Sequence, residues 1–172
     1  NEEMLHYYGL PGFGIGGNTG SKTVDQQAAL EAALSLLTSV QAGAHLIHDV
    51  GYMDNGVTGS LELLAICDEI INWIKAYMKP LIINQETLAL DEIKEVVKTD
   101  SDFLGSNNTH NHFREDFYPK LLDRRNYNSW EEDGEKTMGQ RANEVVEGIL
   151  SEPAEEYLTG EELKAIQNII DA

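Results

Sequence analysis

Apolar residues recur at helical spacing along several stretches of the chain, and residues that cap helices stand before most of them. Thr23 and Gln26 form a capping-box pattern, which predicts a helix from about Val24 up to Gly43. Further helices are predicted over residues 61–78 behind the cap Ser60, over 87–97 and 136–150, and after a second capping box at Thr159 and Glu162.

Short apolar runs between the predicted helices indicate strands. Residues 5–15 are apolar and aromatic but contain glycines and a proline, so they predict a strand followed by a wide loop. Residues 45–51 end at a glycine and predict a buried strand, followed by a loop over 52–60. We expect a brief strand or an extended linker over 80–84, and little regular structure over 99–130 except at 113–122.

The order strand, loop, helix, strand, loop, helix predicts an α/β fold with a parallel sheet and crossover helices. An open doubly wound sheet and a closed (β/α)8 barrel of the TIM type both fit this order. A complete barrel needs about 250 residues, whereas the chain has 172 and begins at Asn1. We therefore expect a fragment of a larger protein. Its open sheet edges predict either dimerisation or a short, protected sheet.

Composition and charge narrow the classes of partner. The 30 acidic and 12 basic residues give a formal net charge of -18, which disfavours binding to nucleic acid. The single cysteine, Cys67, lies among apolar residues, so packing is expected rather than a disulfide or a thiolate metal site. The sequence contains no apolar run long enough for a membrane span. Together these features predict a cytoplasmic setting with no membrane partner.

The stretch from Gly16 to Thr23 resembles a phosphate-binding loop of the form G-x-x-x-x-G-K-[ST]. Ser21 stands where that loop needs its second glycine, and the preceding segment is too rich in glycine and proline for a smooth strand. A βα loop that leads into a capped helix is the favoured interpretation. Ser21, Lys22 and Asp25 stay candidates for lining a site, because βα loops carry the chemistry of barrels.

The histidines form two pairs. His45 and His48 are three residues apart on a predicted strand, so they face opposite sides and cannot readily share a metal ion. His45 is expected to pack, while His48 at the carboxyl end of the strand is either a working residue or a hydrogen-bonded core histidine. His110 and His112 have the H-x-H spacing of some metal hydrolases, although their surroundings favour a surface loop.

Aromatic residues gather near the predicted strand ends, at Tyr7, Tyr8, Phe13 and Tyr52. Aromatic faces in such positions can hold a quaternary ammonium group by cation–π attraction. Ordinary core packing is the other interpretation of the same residues.

Three stretches, read in this order, resemble the C-terminal part of a known family. They are GGNTGSKTVDQQAALEAALSLL, AGAHLIHDVGYMDNGVTGSLELLAICDEI, and LALDEIKEVV with the segment FLGSNNTHNHFRED that follows it. The pattern includes Ser21, Lys22, Asp25, Gln26 or Gln27, and Glu31, together with the H-D-x-G-Y segment at His48. These stretches resemble the trimethylamine methyltransferase family, which includes glycine betaine methyltransferases.

The resemblance implies a (β/α)8 barrel, of which this chain is the C-terminal portion. Residues 1–130 would supply the last βα units with a long connection, and residues 131–172 the helices that pack on the barrel. It also implies transfer of a methyl group from a methylated amine to Co(I) of a separate corrinoid protein. Trimethylamine members carry pyrrolysine. This chain contains only standard residues, which favours a quaternary amine such as glycine betaine.

The resemblance and the loop positions together predict the site residues. We expect His48 to be catalytic, and Tyr8, Phe13 and Tyr52 to bind the substrate. Gly16 and Gly17 are expected to leave room for the corrin ring, since a position without a side chain allows close approach. No tightly bound metal is predicted, and the protein is expected to be a homo-oligomer.

Two other classes of function remain open at this stage. The first is a metal-dependent hydrolase on a barrel that uses His110 and His112. The second is a non-catalytic fragment that only assembles with its missing half.

Overall fold

The computed structural model describes residues 2–99, 101–153 and 157–171, which fold as a helix-rich α/β structure with two small sheets. Asn1 lies outside the described residues. The helices are α1 (Glu2–Tyr7), α2 (Gln26–Gln41), α3 (Leu61–Tyr77), α4 (Gln85–Leu88), α5 (Leu90–Thr99), α6 (Asn107–His112), α7 (Tyr127–Glu132), α8 (Met138–Ser151) and α9 (Gly160–Ile170). The strands are β1 (Phe13–Ile15), β2 (Leu46–His48), β3 (Tyr52–Met53) and β4 (Thr58–Gly59).

β1, α2 and β2 form a parallel strand–helix–strand unit, as the order of elements predicts. Phe13 pairs with Leu46 and Ile15 with His48. α2 covers one face of this sheet, where the Ser39 hydroxyl donates a 2.9 Å hydrogen bond to the carbonyl of Ile15. Each strand has only three residues, so the sheet is short, and the described residues do not form a closed barrel.

The core lies between α2, α3 and α8. Small and branched apolar side chains fill it, including Ala28, Ala32 and Leu36 from α2, Leu63, Ile66 and Cys67 from α3, and Ala142 from α8. Ser60 caps α3, since its hydroxyl accepts a hydrogen bond from the backbone N–H of Leu63. The predicted cap Ser60 and the packing role of Cys67 are both confirmed.

The start of the chain differs from the prediction. Residues 5–7 belong to α1, and the strand begins only at Phe13, after the glycine- and proline-containing segment. The strand therefore follows the irregular segment instead of preceding it. The predicted cap of α2 is also wrong by two residues, because the Asp25 carboxylate, and not Thr23, accepts the N–H of Ala28.

The strand predicted over 45–51 exists as β2, but it is not buried: Leu46 keeps 58% of its surface exposed. The predicted loop after it contains the hairpin of β3 and β4, which pair antiparallel around a 3₁₀ turn at Asp54–Gly56.

The long connection between α5 and α8 also departs from expectation. Residues 113–122 are not helical, and α6 and α7 flank them instead. The buried carboxylate of Glu69 fixes this connection to α3, because its Oε1 atom accepts the N–H groups of Lys120, Leu121 and Leu122 at 2.7–3.2 Å. Residues 80–83 form no strand and have no regular secondary structure. The capping box that opens α9 at Thr159 is confirmed.

Among the described residues, no helix is both long and apolar enough to span a bilayer.

Candidate functional site

The β1–β2 sheet has one free face. Because side chains alternate along a strand, Gly14 and Ile47 point toward α2, whereas the other face carries Phe13, Ile15, Leu46 and His48. Phe13 on this face is 66% exposed. Its ring lies edge-on to the imidazole of His48, with 6.2 Å between the ring centroids. An aromatic and imidazole surface is therefore open for contact on this side of the sheet.

His48 is the last residue of β2, and Asp49 follows it at the carboxyl end of the strand. The Nδ1 atom of His48 lies 2.9 Å from Oδ1 of Asp49. The carboxylate of Asp49 therefore lies against the Nδ1 side of the imidazole. Asp49 has a φ of 69°, a left-handed conformation that costs free energy in a residue other than glycine.

Two loops meet at the carboxyl end of the sheet and form what we call the rim, residues 16–22 and 49–59. Backbone hydrogen bonds of 2.9–3.2 Å join them: Gly51 donates to Gly17, Thr19 to Tyr52, and Asn55 to Thr19. Tyr52 is the first residue of β3 and keeps 45% of its surface exposed. The rim thus fixes the backbone of Tyr52 close to the strand end that carries His48.

Donor groups of the rim loop 16–22 bond to a carboxylate of α2, whereas those of a phosphate-binding loop would bond to a ligand. Oε2 of Glu31 accepts the N–H of Gly20 at 2.8 Å and the hydroxyl of Thr19 at 2.5 Å. The ammonium of Lys22 turns back to the Gly20 carbonyl and to the carboxylate of Asp54. These donors bond to groups of the chain itself, which supports the βα-loop interpretation.

Hydrogen bonds from Thr19, Gly20 and Gln27 lower the pKa of Glu31 below its usual range. The N–H of Ala28 is the main cause that lowers the pKa of Asp25. Both carboxylates therefore stay ionised and hold the start of α2 and the rim loop together.

Ser21, Lys22 and Asp25, which were candidates for lining a site, occupy different environments. Ser21 is buried, and its hydroxyl bonds to the Thr23 carbonyl and the Asp25 carboxylate. Lys22 is exposed. Ser21 and Asp25 therefore have a structural part in the loop.

Gly16 and Gly17 are both buried, and the space for a side chain at each position is limited by neighbouring atoms. A Cβ atom at Gly16 would lie 3.0 Å from Cγ2 of Ile47 and 3.1 Å from Cα of Leu36. At Gly17, where φ is 77°, it would lie 3.1 Å from Cγ1 of Val50. Packing against the core therefore explains the glycines at both positions, and their role in leaving room for a corrin ring stays a prediction.

Tyr8 lies between α1 and β1 in the chain. It follows α1, whose His6 contacts the carbonyl of Gly43 at 2.7 Å and the ring of His45 at 5.3 Å between centroids. Both partners precede β2, so α1 lies at the opposite end of the sheet from the His48 side chain. His45 also accepts the N–H of Gly12 but stays exposed, so the expected packing is limited to this hydrogen bond and the contact with His6.

His110 and His112 lie on α6 rather than in a loop. His112 is engaged with carboxylates: Nδ1 lies 3.0 Å from Glu115, and Nε2 lies 3.5 Å from Glu86. The contact with Glu115 is the main cause that raises the pKa of His112. In the described part of the chain, no group of three or more histidine, cysteine or carboxylate side chains could hold a metal ion.

Sequence reasoning gave no separate role to two residues of this region. Glu31 appeared only as a member of a motif, and its contacts depend on how the loop folds back on α2. Asp49 appeared only as the second residue of the H-D-x-G-Y segment, although its position next to His48 in the sequence was a usable signal.

Comparison with known proteins shows which family the sequence resembles. The family model described as trimethylamine methyltransferase (MTTB) matches residues 2–172. The chain is 32% identical over 169 residues to the trimethylamine methyltransferase MttB2 of Methanosarcina mazei, covering 98% of this chain and 34% of that protein. It is 32% identical over 151 residues to the glycine betaine methyltransferase of Desulfitobacterium hafniense, covering 87% of this chain and 31% of that protein.

A similar match, 31% identity over 169 residues, relates the chain to the trimethylamine methyltransferase MttB of Desulfitobacterium hafniense. The chain spans about a third of the length of these relatives, which is 34% for the two trimethylamine enzymes. The C-terminal resemblance noted in the sequence is confirmed, and the chain belongs to the trimethylamine methyltransferase family.

Proposed function

We propose that this chain is the C-terminal part of an amine methyltransferase that acts on a quaternary ammonium substrate such as glycine betaine, with trimethylamine as the alternative. The methyl acceptor in this proposal is the Co(I) centre of a separate corrinoid protein. The names of the relatives support the reaction class.

The observation that carries the proposal is the exposed aromatic surface at the free face and rim. Phe13, His48 and Tyr52 keep large fractions of their surfaces accessible while their backbones are held by strand pairing and loop hydrogen bonds. Aromatic faces attract an ammonium group by about 0.5–2 kcal/mol each. A cation also suits a chain with a formal charge of -18.

The chemistry requires little of the protein beyond binding and alignment. A quaternary nitrogen already bears a positive charge, so when its C–N bond breaks, the nitrogen keeps the electron pair and becomes a neutral tertiary amine. No proton has to be supplied to the leaving group. His48, whose Nδ1 atom lies beside the Asp49 carboxylate, would orient the substrate or meet its carboxylate.

The barrel and the division of the chain are part of the same proposal. The β1–α2–β2 unit has its helix on one face only, so the free face would form part of the barrel interior. We place the last βα units and the long connection in residues 1–130 and the outer helices in 131–172. The packing of Ala142 from α8 against the core supports this division. A homo-oligomer is also proposed.

The proposed roles of Tyr8 and of the two glycines differ from those of Phe13 and Tyr52. Because α1 contacts the amino end of β2, Tyr8, which directly follows α1, is proposed to approach the substrate from the end of the sheet away from His48. Because Gly16 and Gly17 face the core, no step of the reaction is assigned to them.

The full-length enzyme provides the test. Purified enzyme is mixed with cob(I)alamin and either glycine betaine or trimethylamine, and the loss of the Co(I) absorbance is followed. We expect transfer from glycine betaine, and a KM raised about fivefold or more by Phe13→Ala or Tyr52→Ala. His48→Ala should lower kcat/KM at least as strongly.

Glu92→Ala serves as a control, because this half-buried carboxylate accepts the N–H of Asn108 far along the chain from the rim. It should leave KM unchanged. Unchanged kinetics in the Tyr52 and His48 variants would remove the basis of the proposed site. Failure of both amines would overturn the proposed reaction.

A further inference from the structure

Glu31 is a carboxylate of α2 that bonds directly to the rim loop. It lies half-buried in the second turn of the helix, and Oε2 accepts both the Thr19 hydroxyl and the Gly20 N–H. Its other oxygen, Oε1, accepts from the side-chain amide of Gln27 at 3.0 Å. Hydrogen bonds to a charged acceptor are stronger than neutral ones, so Glu31 fixes where the loop sits on the helix.

Thr19 transmits this contact further along the loop. Its buried hydroxyl donates to Glu31 and accepts the N–H of Ser21 at 2.9 Å, so one side chain orders three consecutive residues. The backbone of the same segment pairs with the hairpin: Thr19 donates to the carbonyl of Tyr52, and the N–H of Asp54 donates to the carbonyl of Ser21. A continuous chain of hydrogen bonds therefore leads from Glu31 to Tyr52.

We propose that Glu31 is a positioning residue: through Thr19, it holds the backbone of Tyr52 where the exposed ring can meet the cationic group of the substrate. The inference deepens the proposed function and rests on it. Glu31 does not touch the substrate in this account. Its removal should weaken substrate binding through Tyr52 alone and leave the chemical step largely unaffected.

The main variants are Glu31→Ala, which removes the acceptor, and Thr19→Val, which removes the linking hydroxyl. Glu31→Gln and Thr19→Ser keep an acceptor oxygen and a hydroxyl, respectively, and act as conservative rescues. Methyl transfer from glycine betaine to cob(I)alamin is measured for each full-length variant. We expect KM to rise about fivefold in the first two variants with kcat within about twofold, and the rescues to recover most of this loss.

A double-mutant cycle separates positioning from a general loss of structure. In a Tyr52→Ala background, Glu31→Ala should change KM by less than about twofold, because the contact that it serves is already gone. An equal rise in KM in both backgrounds would overturn the inference. Glu92→Ala again serves as the control for removal of a half-buried carboxylate from an N–H group.

Amide hydrogen exchange gives a readout that does not depend on turnover. Glu31→Ala should speed exchange at Asp54 and Asn55, whose N–H groups bond to the rim loop, more than in the middle of α3. Unchanged exchange at these amides would refute the inference even if the enzyme is active. A wild-type enzyme that uses neither amine would instead refute the proposed function, and with it the role assigned to Tyr52.

Discussion

A substitution at Gly17 tests whether the carboxyl end of the sheet has a packed interior or an open surface at this position. Its φ of 77° lies in the left-handed region, and an added Cβ would lie 3.1 Å from Cγ1 and 3.2 Å from Cα of Val50, with Sγ of Cys67 at 3.3 Å. The Val50 Cα atom belongs to the backbone, so the neighbour cannot turn away as a flexible side chain would. Gly17→Ala should therefore destabilise the chain in two ways.

The magnitude follows from these two contributions. A left-handed alanine costs about 1–2 kcal/mol relative to glycine, and overpacking in a filled interior adds about 1–3 kcal/mol. We expect the free energy of unfolding to fall by about 2–5 kcal/mol, a large part of the stability of a small domain. Gly56→Ala is the matched control, because Gly56 has a φ of 90° but no atom within 4 Å of an added Cβ.

Urea unfolding followed by circular dichroism measures both variants. Gly56→Ala should lose only the backbone contribution of about 1–2 kcal/mol, so that Gly17→Ala is the less stable by the overpacking contribution. If the two variants lose the same stability, the space beside Gly17 is open, and the packing explanation is wrong. A corrin-facing role for this glycine would then regain its physical basis.

Three further predictions concern other parts of the fold. Glu69→Ala should cost about 2–4 kcal/mol in urea unfolding, because it leaves three N–H groups without their charged acceptor; a loss below about 0.5 kcal/mol would contradict this. Burial raises the pKa of Cys67 to about 11. A thiol reagent at pH 8 should therefore react readily with the unfolded chain and only slowly with the folded one. Equal reaction rates would refute the burial of Cys67. The pKa of His112 is raised, so protonated His112 should stabilise the folded wild type relative to the His112→Gln variant. This difference in the free energy of unfolding should be full below about pH 6.5 and disappear as pH rises through the folded pKa. A difference that grows with pH would contradict this prediction.

Helix starts were predictable where a cap is local and unambiguous. Ser60 and Thr159 each stand directly before an apolar pattern, and both cap helices in the structure. Thr23 offered the same local signal, but Asp25 two residues later accepts the N–H of Ala28 and starts the helix instead. Competing capping residues within one turn cannot be ranked from their spacing alone.

Predictions that depended on distant contacts were less successful. The segment before β1 forms a helix whose His6 bonds to Gly43, a contact across 37 residues. The connection over residues 113–122 is held in an irregular path by Glu69 from α3 rather than by its own pattern. Local propensity gives no account of such long-range partners.

The candidate site was partly predictable for the same reason. His48 follows from the rule that βα loops and strand ends carry functional groups, and the structure places its ring beside Phe13. The packed role of Gly16 depends on the approach of Leu36 from α2, and the anchoring role of Glu31 on the path of the rim loop. The spacing of residues along the sequence predicts neither of these contacts.

The amine product identifies the reaction most directly. Full-length enzyme is incubated with cob(I)alamin and glycine betaine that carries deuterium in all methyl groups, and both products are measured by mass spectrometry. We expect dimethylglycine and methylated cobalamin in equal amounts, with the transferred methyl fully labelled. Absence of dimethylglycine, or methylated cobalamin without the label, would contradict this expectation.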